Sequence, residues 1–263
     1  MRQQGFTLVE LVMVIVIMGI LAVGVSSFVG GTVGGYVDSA ARQRMATAMV
    51  VASERISRDL RGALPASIRV GGDAVDNCIE FIPVLRGGYY ESVPLAAPAG
   101  SFNAVSLGNT ATLSGRVAVY PVEGSQVYSP SDASPAVVTA ATASVPVGTD
   151  TIVVSLGASH RFPLDSPGNR FYVVGDPVAY CQPSGATRIY RYTGYGWNAV
   201  AALPPSGATR DVLVDEVSAG DPVSFAYSAA TQQRNAVISL ALSAAVDGEV
   251  LHLEQEVQVR NVP

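Results

Sequence analysis

The sequence predicts an α+β protein: one long N-terminal helix, membrane-spanning in its first half, packed on a mainly antiparallel β head. Three observations carry this. Phe6 to Val29 (FTLVELVMVIVIMGILAVGVSSFV) is an apolar run whose single charge is Glu10. From Tyr36 to Leu64, apolar residues recur at steps of three and four, the period of one helix face. After Pro65 that period gives way to short alternating segments punctuated by Gly, Pro, Ser and Asp.

The N-terminal run comes first. At about 1.5 Å per residue it makes a helix of about 36 Å, enough for a hydrocarbon core of about 30 Å. A secretory signal peptide would place a small-residue cleavage site after the run, and no A-x-A stands there. The run therefore reads as a retained span. Arg2 on its short side favours a cytoplasmic N-terminus, with everything after about residue 30 outside. Glu10 is the anomaly, because an ionisable group in a span costs several kcal/mol and usually has a functional partner. A local reading stands beside that one with equal weight: Thr7-Leu8-Val9-Glu10 has capping-box spacing, and a carboxylate suits the positive end of a helix dipole.

Gly5-Phe6-Thr7-Leu8-Val9-Glu10, behind a short hydrophilic leader and ahead of an apolar helix, resembles the class III signal of type IV pilins and type II secretion pseudopilins. The resemblance implies a pilin-like fold. It also implies cleavage by a prepilin peptidase between Gly5 and Phe6, methylation of the new Phe6 amine, and pairing of Glu10 with the N-terminal amine of a neighbouring subunit. Both charges would be desolvated there, so each needs the other. The chain then divides into a leader (1–5), the transmembrane half of the helix (6–29), a glycine-rich hinge with an amphipathic half (30–64), and a periplasmic β-rich head (65–263).

The glycines between Gly24 and Gly35 each cost a helix interior up to about 1 kcal/mol relative to Ala, so the helix is expected to be weak there. Gly30-x-x-x-Gly34 and Gly31-x-x-x-Gly35 also fit close helix approach, a pattern common in any glycine-rich stretch. From Tyr36 the helix resumes with Val37, Ala41, Met45, Ala48, Met49, Ala52, Ile56 and Leu60 on one face. Gly62 and Pro65 supply its stop.

Strands are expected at Asn77–Leu85, Gly88–Leu95, Arg116–Val122, Thr151–Leu156, Arg170–Val174 and Arg188–Thr193. Residues 121–150, rich in Pro, Ser, Ala and Thr, read as a long loop with one weak strand, an insertion in one β domain. The C-terminus reads as a meander of Val223–Tyr227, Asn235–Leu242 and Glu249–Arg260 with Asp247-Gly248 as its turn. In its last strand Leu251, Leu253, Val257 and Val259 share one face, and His252, Glu254, Glu256, Gln258 and Arg260 the other.

Composition closes off several chemistries. All 16 basic residues are Arg, so Schiff bases, a P-loop lysine and Ser-Lys dyads are excluded. A net charge of -5 argues against nucleic acid as a partner. Cys78 and Cys181 lack zinc-site spacing and leave one possible bridge; with the head in an oxidising compartment the bridge is expected, the alternative being two buried thiols. His160 and His252 are expected at the surface. Asp73 and Asp76 lack EF-hand spacing and read as an exposed acidic turn, and Gly194-Tyr195-Gly196-Trp197 reads as a loop, not a phosphate cradle. Tyr89, Tyr90, Tyr190, Tyr192, Tyr195 and Trp197 form either an adhesive surface or sheet packing. No catalytic constellation, cofactor or metal set emerges.

The ending EVQVRNVP, with Phe225-Ala226-Tyr227 before it, is similar to minor pilins of mannose-sensitive haemagglutinin pilus biogenesis and more loosely to J-type pseudopilins. The resemblance implies a non-enzymatic minor subunit anchored in the inner membrane and then carried in a surface pilus. Its partners would be prepilin peptidase, major and minor pilins, the inner-membrane assembly platform and membrane lipid. The alternatives are a type II secretion pseudopilin and a tip adhesin or DNA-uptake pilin.

Overall fold

A computed structural model describes residues 7–74, 76–133, 135–229, 235–246 and 249–259. Its first element, α1 (Leu8–Arg61), is one unbroken helix of 54 residues. The glycine-rich stretch Gly24–Gly35 is helical throughout, contrary to the expected weak point. A Cβ on Gly24, Gly30, Gly31, Gly34 or Gly35 would meet nothing within 4 Å, so no packing demands glycine there. Each still lowers local helix stability, a cost that the hydrogen-bonded helix on either side outweighs. Gly62 caps the C-terminus, its N–H donating to the Asp59 and Leu60 carbonyls.

Fourteen strands and one short helix follow among the described residues. They are β1 (Arg69–Gly71), β2 (Cys78–Phe81), β3 (Val84–Ser92), β4 (Ala99–Val105), β5 (Leu113–Val119), α2 (Gly124–Val127), β6 (Ala143–Val145), β7 (Thr151–His160), β8 (Arg170–Val174), β9 (Val178–Cys181), β10 (Ile189–Thr193), β11 (Thr209–Val214), β12 (Ser224–Ser228), β13 (Ala236–Val246) and β14 (Glu249–Val259). The sequence missed β1, β4, β9 and β11, and the expected strands Asn77–Leu85, Gly88–Leu95 and Arg116–Val122 run past the ends of β2, β3 and β5. Within 121–150 the three-residue β6 is the one weak strand expected in the loop, and the short helix α2 is the addition.

The strands make three bodies: a five-stranded sheet in the order β1-β2-β9-β10-β11, a three-stranded meander β12-β13-β14, and a closed barrel β3-β4-β7-β6-β5-β8. The two open sheets curl round the second half of α1, which packs on β11, β13 and β14, while β12 lies beside β1 and β2 at the seam. Phe225 N–H donates to the Asp76 carbonyl across that seam at 3.0 Å.

The barrel is threaded between two neighbouring strands of the five-stranded sheet. β2 and β9 pair antiparallel, from Cys78 opposite Cys181 to Phe81 opposite Val178, and the chain between them builds β3 to β8. Past Phe81 and Val178 the same ribbon continues, because Gly175 N–H donates to the Pro83 carbonyl at 3.0 Å and Val84 then pairs with Val174. Closure needs a bend in β7, which pairs with both β4 and β6. Gly157 supplies it: its φ is 74°, and a Cβ there would lie 2.4 Å from the Thr142 carbonyl oxygen.

Packing follows these bodies. Met45, Met49, Ala52, Ile56 and Leu60 of α1 share a core with Ile79, Phe81, Tyr180, Phe225, Leu240 and Val257 of the two sheets. Burying one such aliphatic side chain contributes about 1.5–3 kcal/mol. Val37, assigned to this face from its period, is 58% exposed because the sheets end before reaching it. The barrel has its own interior, with Phe102, Val117, Val154, Phe162, Phe171 and Val173 at its centre. A smaller cluster at the root, including Leu64, Ile82, Val127, Tyr128 and Val138, joins the two. In β14 the period-two split holds: Val257 and Val259 are buried, and His252, Glu254, Glu256 and Gln258 are exposed. Asp247, Gly248 and Arg260 lie outside the described residues.

Candidate functional site in the N-terminal helix

The N-terminus of α1 is held by its own sequence. Thr7 is the N-cap, with φ -78° and ψ 148°, and its Oγ1 accepts from the Glu10 N–H at 3.3 Å. In return Glu10 Oε2 accepts from the Thr7 N–H at 3.1 Å and from the Thr7 hydroxyl at 2.9 Å. The reciprocal capping box is therefore formed, satisfying two of the amide donors a helix start leaves open. Among the described residues, both bonds that the carboxylate accepts land on Oε2, and a carboxylate with two oxygens has acceptor capacity for further donors. The two readings of Glu10, cap and intersubunit partner, are compatible on these grounds. Gly5 and Phe6 lie outside the described residues.

Beyond the cap, every residue from Thr7 to Ser39 is exposed. Among the described residues, one helix is long and apolar enough to cross a membrane. Exposed Leu, Val, Ile and Met side chains line all sides of it. A helix apolar all round needs an apolar surrounding, either lipid or other helices.

At the far end, α1 is fastened to the head by polar contacts. Asp59 accepts from the Tyr180 hydroxyl at 2.7 Å and pairs with Arg55 at 3.4 Å and Arg191 at 3.8 Å. Burial first, then the neighbouring Asp59 carboxylate, pushes the Tyr180 hydroxyl up to about 12.

The cysteines meet in the head. Cys78 and Cys181, 103 residues apart, are joined by a disulfide across the directly opposed pair of β2 and β9, with both residues fully buried. Beside it Asn77 Nδ2 donates to the Gln182 carbonyl at 2.6 Å and to Asp73 Oδ1 at 2.7 Å. Asp73 also accepts from the Ser184 N–H at 3.1 Å, so this acid of the exposed turn tethers two loops. Among the described residues no group of three or more His, Cys, Asp or Glu is placed to hold a metal ion.

Sequence reasoning missed the polar knot at the barrel root. Glu80, only 1% exposed, accepts from Arg69 Nε and from the Tyr195 hydroxyl, the latter at 2.8 Å. Arg69 also donates to the Ala199 and Asn198 carbonyls, at 3.1 and 2.8 Å, and its guanidinium stacks 3.6 Å from the Tyr128 ring centroid. A buried carboxylate so paired is satisfied and structural. Its members are scattered from 69 to 199, and no spacing signals them.

His160 is a correction. It was expected at the surface, yet it is fully buried in the barrel, with Nδ1 2.9 Å from Asp132 Oδ1 and Nε2 2.9 Å from the Ala136 carbonyl. Asp132 lies 28 residues earlier, beyond any local pattern. His252 is exposed, as its strand face predicts. The aromatic set divides: Tyr90 and Tyr192 are buried, Tyr195 and Trp197 hydrogen-bond to Glu80 and Asp176, and Tyr89 remains 55% exposed.

Comparison with known families matches residues 1–26 to the prokaryotic N-terminal methylation motif. No curated protein and no solved structure matches the chain. The prepilin-type motif and the long apolar helix on an antiparallel β head support a type IV pilin-like or pseudopilin-like protein. The signal implies processing by prepilin peptidase, membrane anchoring and assembly with other pilins.

Proposed function

We propose that the chain is a minor pilin, of the MshO kind, in a type IV pilus resembling the mannose-sensitive haemagglutinin pilus. The N-terminus is cytoplasmic and the head periplasmic until prepilin peptidase cuts between Gly5 and Phe6 and Phe6 is N-methylated. The subunit then leaves the membrane and joins the filament near its tip, supporting assembly. The methylation motif at residues 1–26, continuous with an apolar helical segment whose one acidic residue before Asp38 is Glu10, carries this reading.

Glu10 has a defined part in it. Its Oε1 accepts the N-terminal amine of a neighbouring subunit while Oε2 keeps the capping box, so docking need not uncap the helix. A head of about 200 residues is bulky for a regular lattice, which favours a subunit present in few copies.

The test is mass spectrometry of assembled protein with and without the peptidase. Residues 1–5 are expected to be lost, and Phe6 methylated, only when the peptidase is present; Gly5→Leu should block both. Glu10→Ala should lower incorporation without affecting cleavage. Met1 on assembled protein, wild-type incorporation of Glu10→Ala, or this chain as the most abundant pilin in purified filaments would overturn the reading. A type II secretion pseudopilin remains distinguishable by which assembly ATPase its export requires.

A further inference from the structure

We propose that the barrel, residues 84–174, is a separable display module and that incorporation into a filament is carried by α1 and the two open sheets alone. Four observations point the same way. The barrel is closed, so its strands pair with one another, and the backbone bond from Val84 N–H to the Gly62 carbonyl lies at its root, where the chain enters. Its interior residues form a cluster distinct from the one that holds α1. The strands with the most extensive contact along α1 are β11, β13 and β14, none of which belongs to the barrel, and the core that α1 shares is built from the two open sheets. Both of its ends leave through adjacent antiparallel strands, β2 and β9, which the Cys78–Cys181 disulfide ties together outside the barrel.

Position and charge agree with this. The barrel's root touches the C-terminal end of α1, where Leu64 N–H donates to the Ile82 carbonyl at 2.8 Å and Val84 N–H to the Gly62 carbonyl at 2.9 Å. It therefore stands at the end of the helix opposite the N-terminus. Residues 84–174 carry four Arg and five acids, near neutrality, whereas the rest of the head beyond Pro65 carries six Arg and twelve acids. The second half of α1, Tyr36 to Leu64, carries five Arg and three acids, so the base–acid complementarity available between subunits belongs to the helix and the open sheets. The knot of Arg69, Glu80 and Tyr128 and the small root cluster then set the barrel's seating, not its folding.

The geometry dictates the excision. Because the Pro83 carbonyl already accepts from the Gly175 N–H, residues 84–174 can be replaced by Asn-Gly to give a two-residue hairpin continuous with β2 and β9. A second full-length variant, Phe171→Asp, places an unpaired carboxylate in the barrel interior and spares the other core. Both variants, made in the native host and purified in detergent, are expected to keep the Cys78–Cys181 bridge and a cooperative melt of the helix–sheet core. Their incorporation should stay within about threefold of wild type, as expected for a domain-like insertion. Loss of the bridge and melt in both variants, or incorporation lowered more than about tenfold with the bridge intact, would overturn the proposal. The incorporation readout rests on the pilin-like reading. If wild-type protein is itself absent from filaments, that reading fails, while the bridge and melt still decide whether the barrel is separable.

Discussion

The two halves of α1 are one continuous helix with opposite needs. Ile15 is 62% exposed in the first half and Ile56 is 0% exposed in the second, although both sit in regular helix of the same chain. The second half finds its partners within the molecule, in the curled sheets of β11, β13 and β14. The first half has none among the described residues, and its exposed Val, Ile, Leu and Met side chains call for lipid or neighbouring helices. One helix thus serves two solvents, and the molecule is complete at one end only.

The sharpest way to break that comparison is a matched pair of substitutions. Ile56→Asp should abolish the cooperative melt of the head, since an unpaired buried carboxylate costs more than about 4 kcal/mol. Ile15→Asp should leave that melt unchanged and instead reduce recovery of the protein in the membrane fraction. Equal effects on the melt would mean that the halves are not separate in energy.

Next in size is the disulfide. Replacing Cys78 and Cys181 together by Ala should lower head stability on the order of 4 kcal/mol, because the bridge closes a loop of about 100 residues in the unfolded chain. Chemical denaturation of wild-type protein with and without reductant should show the same loss. Quantitative alkylation of both thiols in unreduced, denatured protein would remove the bridge from the account.

Alkaline pH tests the fastening of the second half. Burial first, then Asp59, raises the Tyr180 hydroxyl to about 12; burial first, then Asp165, does the same for Tyr90 in the barrel. Between the ordinary tyrosine value of about 10 and 12 the unfolded chain has released these protons and the native state still holds them, so stability must fall as pH rises through that window. Urea titrations at pH 9 and 11.5 should show the drop, and Tyr180→Phe should reduce it. A flat profile would separate Tyr180 from the stability of the helix–sheet contact.

The smallest effect lies at the boundary between the halves. Gly30→Ala with Gly31→Ala should stiffen the helix by up to about 1 kcal/mol per residue without changing the head melt, as circular dichroism in micelles would show. A shifted head melt would mean that the halves communicate through the glycines.

Several features were readable from sequence because their causes are local. Thr7 and Glu10 stand three residues apart, so the capping box is written in adjacent positions. Met45, Met49, Ala52, Ile56 and Leu60 announce their face by period, and β8 matches its expected bounds, Arg170–Val174. β9 escaped because Val178 to Cys181 is buried on both faces, leaving no alternation to detect. β11 escaped because Arg210 and Asp211 on its exposed part read as loop. The glycine-rich stretch misled for another reason: single-residue costs of about 1 kcal/mol are real but do not break a helix continuous on both sides.

What the sequence by itself determined is the kind of molecule: a processing signal, an apolar helix with one acid, an amphipathic continuation and an antiparallel β head. Each is encoded within a few residues, where composition and period act directly on the backbone. Only the tertiary structure decided that β2 and β9 are neighbours, that the chain between them closes into a barrel, and that His160 finds Asp132 while Arg69 finds Glu80. Strand partners and buried ion pairs depend on which distant surfaces exclude water together, and that choice is made by the whole chain at once.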